Sequence, residues 1–369
     1  MMKFISEFRD PARARALAGE IKKLAGGRWF NLMEICGTHT VSIFRSGLKS
    51  LLPPTIRLLS GPGCPVCVTP QRTIDSIIAR ARKPSTIIAT FGDMLNVPGT
   101  TSSLREEKAR GADIRLIYSP LECLTVARAN PEKQVVFLAI GFETTIPSAA
   151  ATLLSAGRSG LSNFFLVPAG RLIPPAMEFL LAGEETRIDG FLCPGHVSVI
   201  IGTEPYREIA ERFGIPCVIA GFEALDILAA IRELLLMIDE GKAGVRNLYP
   251  RAVREEGNPR ARKIMAEVFE VADAEWRGLG TIPRSGFILR PEFVGYDIDL
   301  VQPVEIPPAE ENPLCICGQI LRGTAEPDDC PAFRTACAPS HPLGPCMVSS
   351  EGTCAAWYQY GGDSVISNR

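Results

Sequence analysis

The sequence carries almost no net charge: 39 Lys and Arg stand against 41 Asp and Glu, a formal −2 at pH 7. That balance argues against a polyanion partner, and no nucleic-acid-binding signature occurs. Long apolar runs are also missing. None reaches the roughly 18 residues a membrane helix needs. Residues 1–23 are charged throughout (Lys3, Glu7, Arg9, Asp10, Arg13, Arg15), unlike the apolar core of a signal peptide, so a cytoplasmic location is expected. Neither G-x-G-x-x-G nor G-x-x-x-x-G-K-[ST] is present, which leaves nucleotide binding without support. Histidine is scarce, with three in 369 residues.

Cysteine is the opposite case, with twelve. Cytosolic thiols stay reduced, so structural disulfides do not explain them. Six fall between Cys315 and Cys354 and three between Cys36 and Cys67, a clustering that points to metal or redox work. The scattered Cys123, Cys193 and Cys217 read as small core residues.

Hydrophobic residues make up 46% of the chain, enough for real cores, and the length suits two or three units. From Trp29 to Phe222 short β-branched runs alternate with helical stretches, the pattern of a parallel α/β sheet. Strands are expected at Trp29–Ile35, Ile56–Leu59, Thr86–Thr90 and Ile114–Tyr118, then at Val135–Ile140, Phe164–Val167, Gly190–Cys193 and Cys217–Ala220. The first four end in CGTHT, GPGCPVC, FGDM and YSPLE; the second four end in GFETT, PAGRL, PGHVS and AGFEA, at a nearly constant offset. This predicts two similar α/β lobes, 1–119 and 120–222, with one eight-stranded sheet as the alternative. Either way, turns at the carboxyl ends of parallel strands are where ligands bind. Helical periodicity runs from Glu223 to about Trp276, with a break at Gly257–Asn258–Pro259 that starts a further helix through Glu270. Residues 223–369 thus form a helical region, a proline-rich linker and a cysteine-rich tail.

The tail has Cys315, Cys317, Cys330, Cys337, Cys346 and Cys354 among many Gly and Pro residues, too few apolar side chains to fold by burial alone. Metal binding would supply the missing stability. Four thiolates suit zinc or an iron–sulfur cluster, and the C-x12-C-x6-C spacing does not choose. Cys64-Pro65-Val66-Cys67, between a strand and a helix expected at Gln71, suits a redox dithiol, with half a zinc knuckle as the alternative. Cys36 lies beside His39 and two threonines; it can bind a soft metal centre or act as a nucleophile, though no third triad residue is evident. Glu143, Thr144, Thr145, His196 and Asp93 also fall at strand ends. Asp93 and Glu143 can equally be capping residues, and His196 can simply satisfy loop carbonyls. His341 reads as a tail residue without a role.

Together CGTHT, GPGCPVC, GFETT, PGHVS and CMVSSEGTCAAWYQY, in this order from about Phe30 to Tyr360, resemble the HypD family of [NiFe]-hydrogenase maturation factors. The resemblance implies two similar α/β domains and a region holding a [4Fe–4S] cluster. It implies a redox-active scaffold for assembling Fe(CN)2CO rather than a conventional turnover enzyme. It further implies a stable complex with the small chaperone HypC and cyanide delivery from HypE. By the same resemblance Cys36 holds the iron, Cys64 and Cys67 relay electrons, and Cys317, Cys330, Cys337 and Cys354 hold the cluster, with Cys315 and Cys346 as non-ligands. FRTACAP at Phe333–Pro339 and GFEA at Gly221–Ala224 depart from the family pattern without removing a ligand. Thr144, Thr145 and His196 would then donate hydrogen bonds to the iron's cyanides. Two other classes stay open: a disulfide reductase resembling ferredoxin:thioredoxin reductase, and an interaction protein with structural zinc in its tail.

Overall fold

The computed structural model describes residues 8–183, 187–306, 308 and 311–361. All eight expected strands form: β1 (Phe30–Glu34), β2 (Ile56–Ser60), β3 (Thr86–Thr90), β4 (Asp113–Leu116), β5 (Gln134–Gly141), β6 (Phe164–Gly170), β7 (Gly190–Pro194) and β8 (Pro216–Ala220). Three more follow: β9 (Gly244–Asn247), β10 (Phe269–Trp276) and β11 (Gly280–Leu289).

The strands build two parallel sheets, but not along the expected boundary. One sheet runs β2-β1-β7-β8-β9 and the other β4-β3-β5-β6. Strands from both sides of residue 119 therefore share each sheet, and the contiguous lobes 1–119 and 120–222 give way to an interleaved pair. Period and turn chemistry define strand–turn units locally. Which units pair is decided by long-range packing that the repeat does not encode.

Alternation along each strand shows why both faces are covered. On β5, Val135, Phe137 and Ala139 join one apolar cluster while Val136, Leu138 and Ile140 join another. On β8, Cys217 and Ile219 face the cluster shared by both sheets while Val218 and Ala220 face the opposite side. Helices Gln71–Ala81, Ile173–Ala182 and Glu204–Phe213 contribute to that shared cluster. Helices Pro11–Ala25 and Ala224–Asp239 cover the first sheet's outer face, and Ile146–Arg158 and Pro259–Val268 cover the second's. Cys123, Cys193 and Cys217 are all fully buried in these cores, as expected.

The helical stretch expected from Glu223 to Trp276 is interrupted. A helix spans Ala224–Asp239 and another Pro259–Val268, and β10 and β11 then form an antiparallel hairpin. Burial alternates from Glu270 to the buried Trp276, the period-2 signal of that hairpin, and Phe269 is buried at its start outside that alternation. No helix among the described residues is long and apolar enough to cross a membrane.

Interleaving has a direct test. A fragment ending at residue 119 holds two strands of each sheet and lacks β5 and β7, the neighbours of β3 and β1. It should unfold in urea without a cooperative transition; a sigmoidal curve would contradict this pairing.

Candidate functional site

Strand order explains where the chemistry gathers. In the first sheet β1 leads outward to β2 while β7, β8 and β9 run the other way, so order reverses between β1 and β7. In the second sheet it reverses between β3 and β5. Such switch points open a crevice beyond the strands' carboxyl ends. The loops after β1 and β7 carry Cys36, His39 and His196; those after β3 and β5 carry Asp93, Glu143, Thr144 and Thr145.

Cys36 is the N-cap residue of the helix Gly37–Arg45, so CGTHT opens a helix directly from the strand. Its amide donates to Glu34 Oε2 at 3.0 Å, and the Thr40 hydroxyl donates to Glu34 Oε1. Burial pushes the Glu34 carboxyl up to about 8 against these hydrogen bonds. The Cys36 thiol is pushed up to about 12, by burial first and then by Glu351 and Glu34, while the backbone amides of His39 and Thr38 oppose the shift. His39 is fully buried and lowered to about 4, chiefly by burial. A neutral ring that donates from Nε2 to the Gly221 carbonyl at 2.9 Å leaves Nδ1 as a buried acceptor without a partner. His196 is exposed and lies against the Phe222 ring, centroids 4.0 Å apart, with its pKa lowered by partial burial.

Gly63 sets the approach of the CPVC loop. A Cβ there would stand 2.2 Å from the Cys36 nitrogen, so only glycine lets the loop lie on the end of β1. The Gly37 amide donates to the Gly63 carbonyl at 3.0 Å and fixes the contact. Cys64 and Cys67 are both buried, and the Cys67 amide donates to Cys64 Sγ at 3.2 Å. The expected helix at Gln71 follows.

The tail folds into this site. Thr38 Oγ1 donates to Glu351 Oε1 at 2.5 Å, and Cys64 Sγ lies 3.3 Å from Ser349 Oγ. Asp93 Oδ2 accepts from Ser349 Oγ, the Ser350 amide and Ser350 Oγ at 3.1, 3.2 and 2.9 Å. Asp93 thus ties the second sheet to the first through the tail. Glu143 and Thr145 stay within the second sheet's loops: Glu143 Oε1 accepts from the Ile173 amide, after β6, at 3.1 Å, its Oε2 is buried without a partner among the described residues, and Thr144 and Thr145 hydroxyls stand 3.4 Å apart.

Cys346, set aside by the sequence reading, is fully buried with its sulfur 2.8 Å from Cys317 Sγ and interacts in turn with Cys67. The signal available was the count of six tail cysteines for four ligand positions. Cys354 lies among thiols: burial raises its pKa well above the ordinary value, and Cys317, Cys315, Cys337 and Cys330 add to the effect. An all-thiol donor set of this kind fits an iron–sulfur or zinc centre. Among the described residues, no three His, Cys, Asp or Glu side chains converge as they would around a single metal ion. Ser340 Oγ and His341 Nδ1 hydrogen bond to each other at 2.8 Å, and His341 Nε2 lies 3.4 Å from the Thr335 carbonyl oxygen.

The comparisons with known proteins point to one family. A family model described as "HypD: Hydrogenase formation hypA family" matches residues 12–361. The chain is 47% identical over 368 residues to the hydrogenase expression/formation protein HupD of Azotobacter chroococcum mcd 1, covering 98% of this chain and 97% of that protein. It is 46% identical over 368 residues to the hydrogenase maturation factor HypD of Azotobacter vinelandii, with the same coverage. Against HypD of Rhodobacter capsulatus it is 45% identical over 372 residues, covering 98% and 99%. Proteins of hydrogenase formation are therefore the class in which this sheet pair and its cysteine loops sit. The chain belongs to the HypD family of hydrogenase maturation factors.

Glu143 offers a test of the second crevice. Burial raises its carboxyl from 4.5 to about 7, against backbone hydrogen bonds that lower it. The folded chain keeps this proton where the unfolded chain releases it, so the group's stabilisation is complete below 4.5 and lost as pH rises through about 7. Glu143→Gln, neutral throughout, removes that loss. Urea titrations should show the wild type falling relative to the variant across this window by on the order of 3 kcal/mol; parallel stability curves would contradict a protonated Glu143.

Proposed function

We propose that this chain is a redox-active scaffold on which the Fe(CN)2CO group of [NiFe]-hydrogenase is assembled. The observation that carries the reading is a row of sulfurs leading from the tail to the loop that lies on Cys36. Cys317 Sγ is 2.8 Å from Cys346 Sγ, Cys346 interacts with Cys67, and Cys67 is bonded through its amide to Cys64 Sγ. Gly63, next to Cys64, packs on the Cys36 backbone.

In this reading Cys36 holds the iron, since a soft thiolate suits low-spin iron carrying cyanide and carbonyl. The HypC chaperone supplies the other cysteine ligand and HypE the cyanide. Thr144 and His196, exposed in the loops of the two crevices, donate hydrogen bonds to the cyanide nitrogens, with Thr145 beside Thr144. Neutral His39 and protonated Glu143 are placed to hold or give a proton rather than a charge. The tail holds a [4Fe–4S] cluster, which spreads its ligands over four irons and supplies single electrons. Cys330, Cys337 and Cys354 are three of its ligands. With Cys317 engaged by Cys346, Cys315 is favoured over Cys317 as the fourth.

Cys317 and Cys346 then act as a dithiol toward a Cys64–Cys67 disulfide. In the exchange the Cys64–Cys67 bond breaks, a Cys317–Cys346 bond forms, and two protons pass to Cys64 and Cys67. Electrons and atoms balance within these four residues. A disulfide reductase would need the same row of thiols but not Cys36 capped into a crevice beside Glu34 and Glu351.

Infrared spectroscopy of the protein purified with its small partner should show cyanide and carbonyl stretches that vanish in Cys36→Ala; their persistence would overturn Cys36 as the iron ligand. Anaerobically purified protein should contain iron and acid-labile sulfide. Zinc without sulfide would defeat the cluster and favour the interaction-protein alternative. Cys346→Ser should keep the iron and sulfide content while slowing reduction of the Cys64–Cys67 disulfide, read by alkylation of the thiols it releases.

A further inference from the structure

Among the described residues Arg277 is a buried cation without an anion. It is 2% exposed, in the turn between β10 and β11. Its Nη1 donates to the neutral amide oxygen of Gln71 at 2.5 Å, its own amide donates to the Val68 carbonyl at 2.9 Å, and its Nε has no partner. Arg80, the other arginine among the largest fully buried side chains, is paired with Asp299 at 2.7 Å. Buried Arg171 gives its guanidinium to the Gly170 and Glu275 carbonyls. Among the described residues Arg277 has neither a carboxylate within ion-pair distance nor a set of carbonyls. A guanidinium does not deprotonate in a protein, and an uncompensated buried charge costs several kcal/mol. Something negative must face it.

What faces it is sulfur. The Arg277–Gly278 turn lies directly on Cys317–Gly318: a Cβ on Gly278 would stand 2.6 Å from Gly318 Cα, and one on Gly318 would stand 2.4 Å from the Gly278 carbonyl oxygen. Gly278 also has φ of +72°, which favours glycine independently. A Cβ on Gly344 would lie 3.1 Å from Cys315 Sγ and 3.7 Å from Arg277 Nη2, so the guanidinium and the Cys315 sulfur flank one point. Burial, the first cause, raises the Cys315 thiol to about 11, and Arg277 acts against that rise. At Cys317 the contact with Cys346 is the largest cause of a raised pKa; Arg277 again opposes it, and Glu311 adds to it.

We propose that Arg277 is the built-in countercharge of the cysteine-ligated cluster in the tail, and that its positive charge raises the reduction potential of that cluster. The proposal rests on the cluster reading given above. Four cysteinates make the cluster anionic, and reduction adds a further negative charge. A fixed cation in a dry site favours the reduced form and shifts the potential upward. The same guanidinium bonds to Gln71 at the start of the helix after CPVC, and so joins the tail's sulfurs to the segment that carries the dithiol.

The experiment is an EPR-monitored redox titration of the anaerobically purified full-length protein and its variants. Arg277→Gln should keep iron and sulfide yet titrate at a more negative midpoint potential than wild type. Arg277→Lys, which keeps the charge, should titrate close to wild type. Gln71→Glu gives the guanidinium a carboxylate partner without removing it, and should also move the midpoint negative. This variant carries the comparison where Arg277→Gln yields no folded protein. Wild-type potentials in the folded charge-altering variants would overturn the role of Arg277 while leaving the cluster in place. Wild-type protein without iron and sulfide would overturn the cluster and the countercharge together.

Discussion

The site depends on one backbone contact: Gly63 lying on the Cys36 amide. Parallel strands deliver two loops side by side, but side chains ordinarily keep such loops apart. Here the missing Cβ lets the loop after β2 fold over the end of β1, and the Gly37–Gly63 hydrogen bond holds it there. The contact brings the CPVC loop against the cap position of the Cys36 helix. The tail then closes over both, through Thr38–Glu351 on one side and Cys64–Ser349–Asp93 on the other. With any other residue at position 63 the backbone itself would have to move, and the tail's anchors would lose their common register.

Burial is the second constraint, and it acts on the thiols in one direction. Cys36, Cys67, Cys317, Cys346 and Cys354 all have raised pKa values. Desolvation is the leading cause at Cys36, Cys67 and Cys354, and the contact with Cys346 leads at Cys317; at Cys346 the Cys317 contact lowers the value, and Cys67 and burial outweigh it. A buried protonated thiol is a poor nucleophile and a poor target for stray oxidants. Glu351 and Glu34 strengthen this at Cys36, where an anionic sulfur would meet acidic side chains. A cation bound at Cys36 reverses that balance, because it favours the charged form of Glu34, which burial alone disfavours.

Much of this was legible in the residues. Thr86–Thr90 is a strand with the bounds expected, and the other seven expected strands differ only at their ends. Their glycine-rich turns marked the crevice loops before any pairing was known, because only turn chemistry at strand ends places polar residues so regularly. Pairing was not legible: β1 meets β7 across well over a third of the chain, Leu32 pairing with Gly190, and nothing local distinguishes that partner from β3. The hairpin of β10 and β11 was hidden by a helical period extrapolated from Leu225–Leu235 past the proline break. At the site, the residue types of Cys36, Cys64 and Cys67 announced themselves. Arg277 and Cys346 did not, since their significance lies in what they touch and in what Arg277 fails to touch.

The two crevices are alike in topology and opposite in chemistry. After β1 and β2 the side chains are thiols and an imidazole, soft donors, with Cys36, Cys67 and His39 held neutral by burial. After β3 and β5 they are Asp93, Glu143, Thr144 and Thr145, hard oxygen groups that donate or accept hydrogen bonds. One half suits a soft metal and the other suits the polar ends of groups bound to it. The tail bonds to both, Glu351 reaching Thr38 and the Ser349–Ser350 hydroxyls reaching Asp93. The segment that brings the tail cysteines to the first crevice therefore also fixes the distance between the two halves. A change in the tail, whether of its sulfur centre or of its fold, must alter both crevices together.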